Sequence, residues 1–248
     1  MMRIHSQIIQ SRSGEWSHVQ NKDNGFYEKD YKKLFYEGGS AGWATQRIHK
    51  ALEKYPRKFY FDEILEIGGG GGLHVEYVQN NYGMYTLTDI LDVPLETFPQ
   101  KMFDRGILRK RLENAESLSC ADNSVDRVIF MCVLHHIPNV EIALNESRRV
   151  VKDGGLVSIY LPCDPGLIYR FCRKVFTEMR AKKLGIDYRL INAREHQNHF
   201  HQLNTLIRHV FEFDEIKVQR WPIPFLYYDF NLYFIFQIKK TPSILPKN

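Results

Sequence analysis

Five consecutive glycines, Gly68, Gly69, Gly70, Gly71 and Gly72, follow a short apolar run over 63–67. Glycine takes positive φ without steric cost and lets another molecule approach the backbone closely. Placed at the end of a strand, such a run reads as the ligand loop of a doubly wound α/β sheet. Its register narrows the ligand. A dinucleotide loop needs glycines at the first, third and sixth positions. Counted from Gly68 the sixth residue is Leu73, and counted from Gly69 it is His74. A phosphate loop needs Gly-Lys-Ser or Gly-Lys-Thr, and neither follows. The spacing that remains is Glu66-x-Gly68-x-Gly70-x-Gly72.

A chain of 248 residues suits one α/β domain with additions. Periodicity predicts strands over 63–67, 84–88, 107–110, 126–133 and 156–161, with helices over 44–55, 72–80 and 140–151. The nearly continuous apolar run Val128, Ile129, Phe130, Met131, Cys132, Val133 suits a strand buried on both faces. Strands alternating with helices imply a mostly parallel, doubly wound sheet. After Pro162 the pattern changes to a basic helix over 168–183, an irregular His- and Asn-rich stretch over 187–200, a helix over 203–211, and strands over 212–220 and 232–239. This divides the chain into an N-terminal extension or lid, 1–59, and a main domain, 60–248, with a cap insertion at about 163–202. The last residues, 242–248, read as a frayed tail.

Asp89 closes the second predicted strand, about twenty residues beyond the loop, where a carboxylate accepts hydrogen bonds from both ribose hydroxyls. Loop and acid together point to an adenosine-containing ligand.

Further stretches follow in order: Asn114-Ala115-Glu116-Ser117-Leu118, Asp122-Asn123-Ser124-Val125-Asp126, Val133-Leu134-His135-His136-Ile137-Pro138, and Arg148-Arg149-Val150-Val151-Lys152-Asp153-Gly154-Gly155. With the glycine loop, this set resembles the class I S-adenosylmethionine-dependent methyltransferases over 64–161, in the style of the branch that holds the quinone-type enzymes. The resemblance implies a Rossmann-like seven-stranded sheet, mostly parallel with an antiparallel last strand, and helical cap insertions. It implies that Gly68, Gly69, Gly70 and Gly72 line the methionine and ribose part of S-adenosylmethionine. Glu66 would hold the loop or the cofactor's amino group, Asp89 would bind ribose, and Ile90 would pack on adenine. Asn114, Ala115 and Glu116 fall at the adenine edge, where many relatives carry Asp in place of Asn114. Met131, Cys132 and Val133 would lie beside the sulfonium, with His135 beneath the cofactor, and S-adenosylhomocysteine would be the product.

A hydroxyl acceptor benefits from a general base, and histidine titrates in the useful range. His136 and His199 are the candidates. Arg194 offers a rigid fork to a phosphate or carboxylate, and with His196 and His199 it forms the expected acceptor pocket, lidded by Tyr27 and Tyr31. The style of 192–201 is similar to methyltransferases of bacterial surface-glycan clusters, which implies O-methylation of a sugar, sugar-phosphate or glycan precursor. His196, His199 and His201 do not share one helix face, so no metal is expected. Two rivals are a nicotinamide oxidoreductase, which would want the missing sixth-position glycine, and a non-catalytic cofactor-binding module acting through a partner.

The net charge of +5 is scattered rather than gathered into a stripe, so no nucleic-acid partner is expected. No run approaches the roughly 18 apolar residues of a membrane span. The four cysteines, Cys120, Cys132, Cys163 and Cys172, match no disulfide or zinc spacing. A cytoplasmic enzyme acting on a small, anionic acceptor is the resulting expectation.

Overall fold

The computed structural model describes Phe26, residues 30–37 and residues 39–242. The elements run α1 (Tyr31–Phe35), α2 (Gly39–Glu53), β1 (Phe61–Ile67), β2 (Tyr82–Asp89), α3 (Thr97–Asp104), β3 (Leu108–Leu112), β4 (Val125–Met131), α4 (Val140–Val150) and β5 (Val151–Pro162). Beyond β5 come α5 (Leu167–Cys172), α6 (Met179–Lys183), α7 (Tyr188–Glu195), α8 (Phe200–Val210), β6 (Glu215–Trp221) and β7 (Tyr233–Lys239). The seven strands lie in the order β3-β2-β1-β4-β5-β7-β6. Strands β1 to β5 pair in parallel, and β7 is antiparallel to both β5 and β6. This is the doubly wound fold of the class I methyltransferases.

The period of two along each strand builds the layers. Leu65, Val128, Phe130, Val157, Ile159, Phe234 and Phe236 turn to one face, where α4 and α8 cover them through Ala143, Leu144, Leu203 and Ile207. Ile64, Tyr85, Leu87, Ile129, Leu156 and Ile235 turn to the other face, under Leu52 of α2 and Met102 of α3. Strand order reverses between β1 and β4, and the carboxyl ends of strands at such a switch point open a crevice for a ligand. Glu66, Ile67 and Met131 stand there.

Three segments depart from the sequence reading. The helix expected over 72–80 is a single 3₁₀ turn, Val75–Tyr77. Its β-branched Val75 and Val78 are weak helix formers, and His74 is tied sideways to Glu53 of α2 at 3.0 Å. The stretch 187–200 is not irregular: Asp187 accepts from Leu190 N at 3.2 Å and caps α7. The basic helix over 168–183 is interrupted by a π-helical stretch, Arg173–Glu178, between α5 and α6. Among the described residues no helix is long and apolar enough to cross a membrane.

Candidate cofactor and acceptor site

A cavity of about 650 Å³ opens over the carboxyl ends of β2, β1 and β4. The loop after β1 forms its floor. Gly68 N and Gly69 N both donate to Thr88 O, at 2.8 and 3.1 Å, so the loop is moored to β2. Gly68 has φ +68, and a Cβ there would stand 2.2 Å from Val133 Cγ2. Gly70 has φ +52, and a Cβ there would meet only Asp89 Oδ2, at 3.9 Å. Its open side faces the cavity, so backbone rather than side chain is presented to whatever lies above.

Asp89 ends β2 beside this loop. Its Oδ2 accepts from Gly70 N at 2.8 Å and its Oδ1 from Leu91 N at 2.9 Å. Each oxygen keeps a second lone pair. Burial raises its pKa, and the backbone donors of Leu91, Gly70 and Ile90 oppose that rise. A fixed, oriented carboxylate of this kind suits a pair of ribose hydroxyls.

Of the residues singled out from sequence, Tyr31, Glu66, Gly68, Gly69, Gly70, Asp89, Ile90, Ala115, Met131, Val133, His136 and Arg194 line the cavity. Six do not. Gly72 turns the loop away, with φ +80 and its N–H on Gly69 O at 2.9 Å. Asn114 does not face a ligand; its Oδ1 accepts from Glu116 N at 2.9 Å in an Asx turn. Glu116 accepts from Asn139 N at 3.0 Å and Asn139 Nδ2 at 2.8 Å, bracing the start of α4. His135 is buried below the cavity, 3% exposed. His196 also lies off the cavity, its Nδ1 3.2 Å from Asp164 Oδ2. His199 is exposed at the boundary of α8. Its neighbour Asn198 turns inward to donate to Leu134 O and Ile137 O at 3.3 and 2.7 Å, which leaves His199 on the outer side. Tyr27 lies outside the described residues.

The sequence reading missed other lining residues. Lys32, Tyr36, His49, His74, Glu96 and Gln197 all face the cavity, together with Cys132, which the sequence already sets beside the sulfonium. Lys32 of α1 reaches Glu96, before α3, at 2.5 Å. Cys132 has φ +61, a left-handed backbone rare for a residue with a side chain, immediately after β4. Burial pushes its thiol up to about 12.

Three histidines gather beside the cavity mouth. Ring centroids of His135 and His136 are 4.0 Å apart, and those of His135 and His196 are 4.2 Å apart. One ring nitrogen from each lies within 4.8 Å of the others, the one group of metal-ligating type found among the described residues. His136 Nδ1 meets Glu195 O at 3.0 Å, and His196 Nδ1 meets Asp164. Oxygens on Nδ1 are the usual outer support of an imidazole that ligates through Nε2, so these residues could hold a divalent transition metal. Burial and then the neighbouring His196 push His136 down to about 3. At neutral pH it is an uncharged imidazole.

A family model described as a methyltransferase domain matches residues 65–159. Residues 65–159 are thus similar to a methyltransferase domain, and the sheet that carries them has the class I methyltransferase fold. The cofactor of this domain and fold is S-adenosylmethionine, and the glycine loop with Asp89 fits it. Among curated relatives, the chain is 27% identical over 174 residues to a highly reducing polyketide synthase, calA, of Penicillium decumbens, covering 64% of this chain and 6% of that protein. It is 33% identical over 145 residues to the uncharacterized methyltransferase YcgJ of Bacillus subtilis, covering 55% and 53%. It is 29% identical over 99 residues to a ubiquinone/menaquinone biosynthesis C-methyltransferase, UbiE, of Shewanella woodyi, covering 38% and 39%. The methyltransferase domain thus lies in a chain that spans 6% to 53% of the length of these relatives. The fold is similar to that of the N-methyltransferase NodS of Bradyrhizobium japonicum in complex with S-adenosyl-L-homocysteine. The TM-score is 0.58 at 11% identity, covering 87% of this chain and 99% of that one.

Proposed function

We propose that this chain transfers the methyl group of S-adenosylmethionine to an oxygen of a small, polar, anionic acceptor of sugar or sugar-phosphate type. The observation that carries the reading is the single cavity that joins the Asp89 and Gly70 seat to a mouth bearing His136, Arg194 and Gln197. The cofactor supplies a methyl group already activated on a sulfonium. The protein has to seat the adenosine, exclude water, and hold a nucleophile in line at about 3 Å, a positioning effect of several kcal/mol. Gly70 and Asp89 serve the first task. Tyr31 and the ends of β1 and β4 close the second. Arg194 orients an acid group, and neutral His136, which burial makes a weak base, offers a ring nitrogen to a hydroxyl as a hydrogen-bond acceptor rather than as the strong general base that the sequence suggests.

The oxidoreductase alternative loses ground on an independent observation. A dinucleotide pyrophosphate rests on the N-terminus of the helix after the glycine loop, and here that segment holds one 3₁₀ turn. Calorimetry tests the reading. S-adenosylmethionine and S-adenosylhomocysteine should bind and NAD should not; no heat from either sulfur ligand would sink it. A second reading, transfer to carbon, is favoured by the likeness to a C-methyltransferase of quinone biosynthesis. Using ¹³C-methyl cofactor, the product's methyl shift separates an oxygen-bound from a carbon-bound group.

A further inference from the structure

Two histidines of the 3₁₀ turn after β4, His135 and His136, meet His196 from the end of α7. Ring centroids are 4.0 Å apart for His135 and His136, 4.2 Å for His135 and His196, and 5.2 Å for His136 and His196. A ring nitrogen from each lies within 4.8 Å of those of the other two. His135 is 3% exposed, and among the described residues its buried Nδ1 has no hydrogen-bond partner. A buried polar atom left in this way costs free energy and calls for a partner of another kind. The rings set against it are two more imidazoles. The sequence groups His196 with His199 and His201 and expects no metal; the fold regroups the histidines and reopens the question.

Both outer rings are held from behind. His136 Nδ1 lies 3.0 Å from Glu195 O, and a carbonyl can only accept, so this ring carries a proton on Nδ1. His196 Nδ1 lies 3.2 Å from Asp164 Oδ2, and Arg173 Nη1 holds the same oxygen at 2.6 Å. Oxygens placed on Nδ1 orient an imidazole that ligates through Nε2. Backbone bonds fix the two segments against each other, since Gln197 N and Asn198 N donate to His135 O at 2.9 and 3.3 Å. Three imidazole nitrogens suit a borderline transition ion such as Zn²⁺, whereas Mg²⁺ and Ca²⁺ want oxygens. Nitrogens about 2.0–2.1 Å from a tetrahedral Zn²⁺ stand about 3.3 Å from one another. From 4.8 Å the rings close that gap by about 1.5 Å at most, a matter of small side-chain rotations.

We propose that His135, His136 and His196 form a site for a divalent transition metal of the Zn²⁺ class, ligated by the three imidazoles and braced by Glu195 O and Asp164. Three protein ligands leave a tetrahedral ion one further position. His136 is the member of the trio that lines the cavity, and Arg194 and Gln197, which flank His196 in the chain, line it too. The ion therefore pins the cap to the loop after β4 at the mouth of the cavity. It adds positive charge beside Arg194, and its remaining position takes a hydroxyl oxygen in place of the ring nitrogen that bare His136 offers. A hydroxyl bound to such an ion loses its proton more readily. The site stands on its own geometry; this consequence for the acceptor rests on the methyl-transfer reading above.

Zn²⁺ and Co²⁺ titrations of the chelator-treated chain test the site, with no cofactor or acceptor present. A single equivalent of Zn²⁺ should stay with the chain through gel filtration. At Zn²⁺ about a hundredfold above Kd, the melting temperature should rise by roughly 5–10 °C. Co²⁺ in its place should give the visible bands of a four-coordinate nitrogen site and no near-ultraviolet thiolate band. His196→Ala should weaken Zn²⁺ by about a hundredfold, and His199→Ala by less than about twofold. Ring ¹H–¹⁵N spectra of wild type provide a readout that needs no variant: Zn²⁺ should move the signals of His135, His136 and His196 together. No retained ion, a thiolate band, equal affinity in His196→Ala and His199→Ala, or unmoved His135 signals would each overturn the proposal. A wild type that binds Zn²⁺ in this way but binds no S-adenosylhomocysteine would instead remove the cofactor reading and leave the metal site standing.

Discussion

The two ends of the cavity are built from different materials. The cofactor end is backbone and strand termini: Gly68 and Gly69 moored to Thr88, and Gly70 and Leu91 holding Asp89 through their N–H groups. Beneath it lies a fully buried ionic chain, from Arg127 through Glu53 to His74, that joins α2 to the middle of the sheet. The proposed acceptor end is side chain. It draws Tyr31 from α1, His136 from a turn after β4, and exposed Arg194 from α7. Rigid backbone suits a ligand that never varies, and replaceable side chains suit the part of a site that sets specificity. Substitutions should therefore cost most beneath the cofactor, less at the ribose, and least at the mouth.

The largest effect is expected from Glu53→Gln. It leaves the guanidinium of Arg127 buried without a counter-charge, at a cost of about 3–5 kcal/mol in stability. Denaturant unfolding measures it; a loss under about 1 kcal/mol would mean that the cofactor end does not depend on this chain. The pH dependence has a definite sign. The folded-state pKa of Glu53, about 2, lies below its ordinary 4.5. Its stabilisation is complete above about pH 4.5 and is lost as the pH falls toward 2. The Gln variant should show a flatter acid limb.

Asp89→Asn comes next. The amide can accept on one side only, so its NH₂ must face either Gly70 N–H or Leu91 N–H. Loss of charge and of one acceptor should weaken S-adenosylhomocysteine by about 2–3 kcal/mol, roughly a hundredfold, with little change in melting temperature. An equal loss of stability would say that Asp89 organises the loop rather than the ligand.

Legibility in the sequence followed the same division. The glycine run, the apolar strands and Asp89 are local signals, each set by residues within a few positions of one another. They placed β1, β2, β4 and β5 and the cofactor loop. The buried chain is not local: Arg127 finds Glu53 at a separation of 74 residues, and His49 finds His74 at 25. A signal did exist, since Arg127 and Ser158 interrupt otherwise apolar strands and a buried charge must have a partner, but nothing in one sequence names that partner. The motif 114–118 was legible as a stretch and misread in part, because Asn114 and Glu116 spend their side chains on the turn and on α4 rather than on a ligand. In the acceptor region the histidines were counted correctly and grouped wrongly. His196 was placed with His199, whereas the fold places it with His135 and His136.

At the mouth, Arg194→Ala should leave S-adenosylhomocysteine binding unchanged and raise KM for a phosphate- or carboxylate-bearing acceptor by about tenfold, as befits an exposed charge-assisted contact. The same substitution should not change KM for an uncharged analogue of that acceptor. An equal rise for both would mean that Arg194 shapes the opening without reading charge.

The smallest effect is expected from His199→Ala, and it tests the boundary of the site. His199 is the residue on which sequence and structure disagree most. The sequence makes it a base in the acceptor pocket; the fold puts it on the outer side of the chain, because Asn198 occupies the inward position and holds the loop after β4 through Leu134 O and Ile137 O. A side chain so placed makes no contact that folding or turnover depends on, so stability and kcat/KM should both stay within about 0.5 kcal/mol of wild type. Asn198→Ala, one residue away, should destabilise by about 1–3 kcal/mol through loss of its short bond to Ile137 O and its longer one to Leu134 O. If His199→Ala instead lowered kcat with stability intact, α8 would have to shift during turnover and bring His199 inward. The acceptor end would then extend beyond the present cavity, and the contrast between its two ends would lie in motion as well as in material.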